Sequence, residues 1–184
     1  MTEQGKANYD IGTILKGMRE EYWQSLAESE ETVREELDCI YFTLGGEQYA
    51  FETIHAAEVI RIPKLVRVPK IQEFIVGVFN LRGEITAAMD IRPLLGLPQP
   101  SLTEQGRIIV VKGERFLTGL LVEEVRGVAP LPLDTFEPAV KSLAGVQRDF
   151  IRGQVRLDSG LVLLLDTPRL LASPEIAVDH SRRG

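Results

Sequence analysis

The chain has 184 residues, of which 44% are apolar and 26% charged. That fits one ordinary domain or two very small ones and excludes wholesale disorder. Lys plus Arg is 21 against 27 for Asp plus Glu, a net charge of −6, which is a poor balance for phosphate-dominated nucleic-acid binding. The one cysteine, Cys39, and the two histidines, His55 and His180, supply neither a disulfide framework nor a Cys/His zinc cluster, and they leave few nucleophile–base pairs. Composition therefore points away from an enzyme, a metal site or a cofactor and toward a binding protein.

Residues 1–10 are polar and lack the apolar core of a secretion signal. The longest apolar run, Leu161 to Leu165, is far short of the roughly 20 residues a membrane helix needs. The expectation is a cytoplasmic protein with no direct membrane insertion.

Along residues 1–37, Ile11, Ile14, Leu15, Met18, Tyr22 and Leu26 recur at steps of three and four, one face of a helix with Asp10 as its N-cap. Glu28 to Asp38 follows, rich in Glu and weakly periodic. This predicts a helical extension, packed on the protein's own core or binding a partner. From Cys39 the texture becomes short Val/Ile/Phe/Tyr runs with Gly, Pro and Asp between them. Cys39 to Leu44 and Gln48 to Glu52 form a hairpin about Gly45-Gly46-Glu47. Arg107 to Val111 and Arg115 to Val122 repeat it about Lys112-Gly113-Glu114. Ile54 to Ile62 reads as a short helix turning into a strand.

An ungapped internal repeat sets Phe74–Leu95 against Phe150–Leu171. Phe74 matches Phe150, Gly77 matches Gly153, Asp90 matches Asp166, and Leu94-Leu95 match Leu170-Leu171. The first hairpins also correspond, with Tyr49 set against Phe116. Residues of about 39–97 and 106–172 thus form two copies of one β unit, joined by a polar linker over 98–105. Each copy is small enough to need its neighbour for a core, so the expected architecture is all-β: two small barrels on a shared apolar seam, with a C-terminal tail over 173–184.

Several residues carry candidate chemistry. Arg82, in the Asn80-Leu81-Arg82-Gly83 turn, presents a planar fork of donors suited to a partner's carboxylate or carbonyl, or to an internal bridge to Glu58 or Glu84. Glu58 suits a basic partner group. Asp90 and Asp166 each precede a Pro-containing segment, the pattern of helix N-caps. Adjacent Glu123 and Glu124 point to opposite faces of a strand, so they do not form an acid–base dyad there. An acid–base enzyme using Glu58, Asp90 or Glu124 is a competing reading that requires those carboxylates to converge.

The stretch Phe42-Thr43-Leu44-Gly45-Gly46-Glu47-Gln48-Tyr49, then Glu58-Val59-Ile60 and Val68-Pro69, then Phe74-Ile75-Val76-Gly77-Val78-Phe79-Asn80-Leu81-Arg82-Gly83 with Met89-Asp90-Ile91-Arg92, resembles the CheW-like domain over residues 38–172. Gly119-Leu120-Leu121-Val122 through Val125 and Val128 resembles its second half. The resemblance implies two intertwined SH3-like five-stranded β-barrels with short helices and no active site. It also implies an adaptor that couples chemoreceptors to the histidine kinase CheA. The expected partners are the kinase's regulatory domain and the receptor's cytoplasmic tip, so that the protein is recruited to membrane-associated receptor arrays. Partner contacts are implied at Ala56, Glu58, Gly77, Arg82 and Val128, with Gly77 acting through its backbone. An adaptor of another chemosensory pathway, such as surface motility or gene regulation, fits the same resemblance. Ala50-Phe51-Glu52, Thr86-Ala87-Ala88-Met89 and Glu123-Glu124 depart from the family pattern.

Overall fold

A computed structural model describes residues 35–69, 72–139, 147–174 and 176. The helical extension expected over residues 1–37 lies, up to residue 34, outside these. The strand expected from Cys39 begins earlier: β1 runs from Glu36 to Leu44. Leu37 packs beside the core, and paired backbone rather than side-chain periodicity starts the strand.

The remaining strands follow in order. They are β2 (Glu47–Glu52), β3 (Ala56–Arg61) after a 3-10 turn at Thr53–His55, β4 (Ile75–Leu81), β5 (Glu84–Met89) and β6 (Arg107–Lys112). Then come β7 (Leu117–Val122), β8 (Glu124–Pro132), β9 (Phe136–Pro138), helix α1 (Gln147–Phe150), β10 (Ile151–Leu157), β11 (Gly160–Leu165) and helix α2 (Thr167–Ala172).

These strands form two sheets with one plan. One has the order β8-β1-β2-β11-β10-β9 and the other β3-β6-β7-β5-β4. Hairpin β1–β2 of the first copy sits in the sheet built mostly from the second copy, and hairpin β6–β7 does the reverse. Each transplanted hairpin joins its host through one parallel ladder, β2 to β11 and β7 to β5. The barrels are therefore intertwined: neither copy makes a barrel alone. The second sheet is closed by a bridge from Val66 to Val78 in β4, with both backbone bonds at 2.9 Å.

Packing explains why the strands read as near-continuous apolar runs. In β6, Ile108 and Val110 point into one barrel while Ile109 and Val111 point into the seam between barrels. In β1, Cys39 faces the other barrel's interior and Ile40 and Phe42 face the seam. Both faces are buried, so the usual alternation of apolar and polar residues disappears. Phe42, Phe51 and Tyr49 fill the seam, with an edge-on contact between the two phenylalanines at 5.5 Å. Ile176, assigned to a tail by sequence, also packs there.

The repeat of residues 74–95 in 150–171 holds in detail. The Asp90 amide bonds the Phe74 carbonyl and the Asp166 amide bonds the Phe150 carbonyl, both at 2.7 Å. The hairpin alignment needs one correction. Ala87 pairs Thr118 where its counterpart Leu163 pairs Tyr49, so Tyr49 corresponds to Thr118, not Phe116. The reason is loop length: Gly45–Gly46 joins β1 to β2, whereas Gly113–Phe116 joins β6 to β7.

The two aspartates are not equivalent caps. Asp166 accepts the Arg169 amide and caps α2. Asp90 instead accepts the Arg92 amide at 3.1 Å and the Arg92 guanidinium, and no helix is assigned after it. In the second copy Pro168 stands where Arg92 stands in the first, so only Asp90 has a buried cation to bind.

Candidate functional site

The β4–β5 connection is a two-residue turn, Arg82–Gly83, between the paired residues Leu81 and Glu84. Both have positive φ, +52° for Arg82 and +95° for Gly83, as a type I′ hairpin turn requires. The Asn80 side chain accepts the Gly83 amide at 2.7 Å and braces the turn. Arg82 is the one non-glycine residue with positive φ among the described residues. Such a conformation costs an L-residue roughly 1–2 kcal/mol.

Arg82 reaches Glu58 in β3 with an Nη2–Oε2 distance of 2.9 Å. Its side chain is 80% exposed and that of Glu58 26%. Glu58 shares a pleat face with the inward-facing Ile60, so its carboxylate sits at the barrel rim. An exposed pair of this kind is worth only about 0.2–1 kcal/mol, less than the turn costs. The second copy shows that the fold does not require the strain. There Leu157 pairs Gly160 across Asp158–Ser159, and the positive φ falls on Gly160.

The Glu58–Arg82 corner has no counterpart in the repeat. In β3 the bulge lies between Ala56 and Glu58; in β8 the matching skip falls between Val125 and Gly127. Gly127 therefore occupies the place of Glu58, Asp158 that of Arg82, and Val128 that of Val59. Ala56, Glu58, Gly77 and Arg82 all lie on the β3–β7 sheet, whereas Val128 lies on the other, opposite Ile40 and 66% exposed. Ala56 packs at the edge of the seam. Gly77 is buried, and a Cβ added to it would lie 2.8 Å from the Val66 carbonyl oxygen. Its lack of a side chain seats the Val66 segment against β4, which is a backbone role.

A second charged cluster lies beneath the surface. The Arg92 guanidinium donates to both Asp90 oxygens at 2.8 and 2.9 Å, to Glu123 Oε1 at 2.9 Å and to the Pro100 carbonyl at 3.0 Å. Glu123 in turn accepts the amides of Gly45 and Gly46 at 2.7 and 3.1 Å. The hydrogen bond to Asp90 is the main reason the Arg92 pKa is raised. The cluster ties the end of β5, the linker, the β7–β8 junction and the β1–β2 turn together, and so pins a transplanted hairpin to its host. Sequence reasoning missed it. The signal was Asp-x-Arg at the end of an apolar strand, a spacing that lets one guanidinium fold back on its own strand's carboxylate.

The carboxylates required for acid–base chemistry are each held by a different arginine: Glu58 by Arg82, Asp90 by Arg92, and Glu124 by Arg126 at 3.6 Å. No group of three or more metal-ligating side chains occurs among the described residues. Among them, too, no helix is long and apolar enough to cross a membrane.

The double barrel of exchanged hairpins defines the structural class of the protein. The CheW-like domain model matches residues 38–175, and the chain belongs to the CheW-like family, as a non-enzymatic coupling adaptor of chemotaxis signalling. It is 29% identical over 148 residues to the chemotaxis protein CheW of Klebsiella aerogenes, covering 80% of this chain and 88% of that one. It is 30% identical over 141 residues to Protein PilI of Pseudomonas aeruginosa, covering 77% and 75%. The fold is similar to the crystal structure of the scaffolding protein TtCheW from Thermoanaerobacter tengcongensis, with a TM-score of 0.68, 24% identity, and 77% and 96% of the two chains covered.

Proposed function

We propose that this adaptor joins the cytoplasmic tip of a chemoreceptor to the regulatory domain of the histidine kinase CheA, and so works at membrane-associated receptor arrays. The Glu58–Arg82 corner, with Ala56 and the Gly77-seated backbone beside it, is the contact on one barrel, and Val128 is the contact on the other. The observation that carries this reading is Arg82. It is held at a backbone cost its ion pair does not offset, four-fifths in solvent, at a turn the second copy builds without strain. A guanidinium kept there is available to a partner carboxylate or backbone carbonyl.

The test is co-purification from the native cell, wild type against Arg82→Asp, with the captured proteins identified by mass. A receptor and a CheA-type kinase captured by wild type and lost from the variant support the reading. Equal recruitment by the variant removes Arg82 from it. A second reading, an adaptor of a non-flagellar chemosensory pathway, is favoured by the likeness to Protein PilI. The identity of the captured kinase and receptor separates the two.

A further inference from the structure

Between β3 and β4 the chain runs Arg61-Ile62-Pro63-Lys64-Leu65-Val66-Arg67-Val68-Pro69. Ile62 and Leu65 pack against the barrel core, and Val66 is bonded to Val78. Arg61, Lys64 and Arg67 face solvent. They recur every three residues, and exposed Val66 and Val68 flank Arg67. In a chain of net charge −6, none of the three cations has an ion-pair or hydrogen-bond partner among the described residues.

The neighbouring strand adds to the positive charge. Arg61 lies directly opposite Arg107 in the β3–β6 ladder, a placement that is unfavourable for like charges. Arg107 donates to the carbonyls of Glu104 and Gly106, not to a carboxylate. The equivalent positions of the other sheet hold Pro130 and Asp38, so the pairing is not a demand of the fold.

We propose that this strap is a docking surface for a carboxylate-rich segment of a partner polypeptide. Residues 62–65 carry neither helix nor turn, and three-residue steps along extended chain are roughly 10 Å. A single small anion cannot span them; a peptide with spaced carboxylates can. The exposed valines give such a peptide apolar contacts that a free anion would not use. The strap is also held in place before any partner arrives, by the Val66–Val78 bridge and by the close seat at Gly77. The strap shares its Val66 segment with the contact proposed above, but Arg61, Lys64 and Arg67 are not part of that contact, and the peptide test reads these three cations alone.

The test uses the full chain and a short fluorescein-labelled peptide with glutamate at every third residue and valine between, read by fluorescence anisotropy at low salt. Arg61→Gln/Lys64→Gln/Arg67→Gln is expected to weaken binding about tenfold. The control Arg115→Gln/Arg156→Gln/Arg169→Gln removes three exposed arginines elsewhere and should change it by less than about twofold, since distant surface charges are screened. Arg61→Lys/Arg67→Lys keeps the charge and should keep the binding, which guards against a folding artefact. Equal loss in both triple variants, no binding by wild type, or binding only to phosphatidylglycerol vesicles and not to the peptide would overturn the proposal.

Discussion

Asp90 and Arg92 form a two-pronged ion pair with both residues 5% exposed. Removing the cation strands Asp90 as a buried carboxylate and leaves the half-buried Glu123 with only the Gly45 and Gly46 amides, and breaking a buried pair this way costs about 3–5 kcal/mol. Arg92→Met should therefore lower the urea midpoint by that equivalent. Arg92→Lys should recover only part, because an ammonium cannot copy the fork that also reaches Pro100. A loss below about 1 kcal/mol in Arg92→Met would show that the cluster is not what pins the hairpin.

At the β4–β5 turn, stability and recruitment should separate. Asn accepts the left-handed conformation far better than Arg does. Arg82→Asn should leave the thermal midpoint unchanged or raise it, while abolishing capture of receptor or kinase. A variant that loses both midpoint and capture would mean that Arg82 serves the fold.

Alkaline pH should destabilise the protein in a definite window. Burial, then the nearby Glu52 carboxylate, pushes the Cys39 thiol up from 9.0 to about 12, and burial pushes Tyr41 from 10.0 to about 12. Both groups are neutral in the form the fold favours. Their contribution is whole below the unfolded values and is lost as pH climbs from about 9 toward 12, at up to about 1.4 kcal/mol per pH unit for each group. Cys39→Val should delay the fall, measured by urea titration across that range. At pH 8 a thiol reagent should label Cys39 only at the rate of unfolding, because the side chain is fully buried.

Strand exchange makes a further prediction. Cutting the chain in the linker over 98–105 leaves two pieces, neither of which holds the strands of a whole barrel. Each piece expressed alone should be unfolded by circular dichroism, and the two co-expressed should reassemble and elute together. Independent folding of either piece would contradict the sheet order.

Much of the fold is legible from residue order because turn chemistry and repeats are local. Gly45–Gly46 marks the first hairpin, and the matches of Phe74 with Phe150 and Asp90 with Asp166 mark the two copies. The exchange of hairpins is different. Nothing in the spacing of Leu44 or Val111 says which copy's β5 or β11 will receive its hairpin; that came from the family resemblance. Gly77 could be read as a backbone position, but its contact with Val66 depends on a bridge between segments without regular spacing. Glu123 departs from its expected strand position for a related reason. It lies between β7 and β8, not within a strand, so it turns inward to Arg92 while Glu124 meets Arg126 in β8. The Arg82 turn was visible as a turn, but its left-handed strain was not, because Arg carries no such preference.

Because each barrel is completed by the other copy's hairpin, the two halves have no hinge between them. A partner gripped at Arg82 and another gripped at Val128 would be held at a fixed spacing and a fixed angle, set by covalent strands and not by an interface that can slide. With partners at those two places the protein would act as a rigid gauge, passing on where one sits without bending to absorb the displacement.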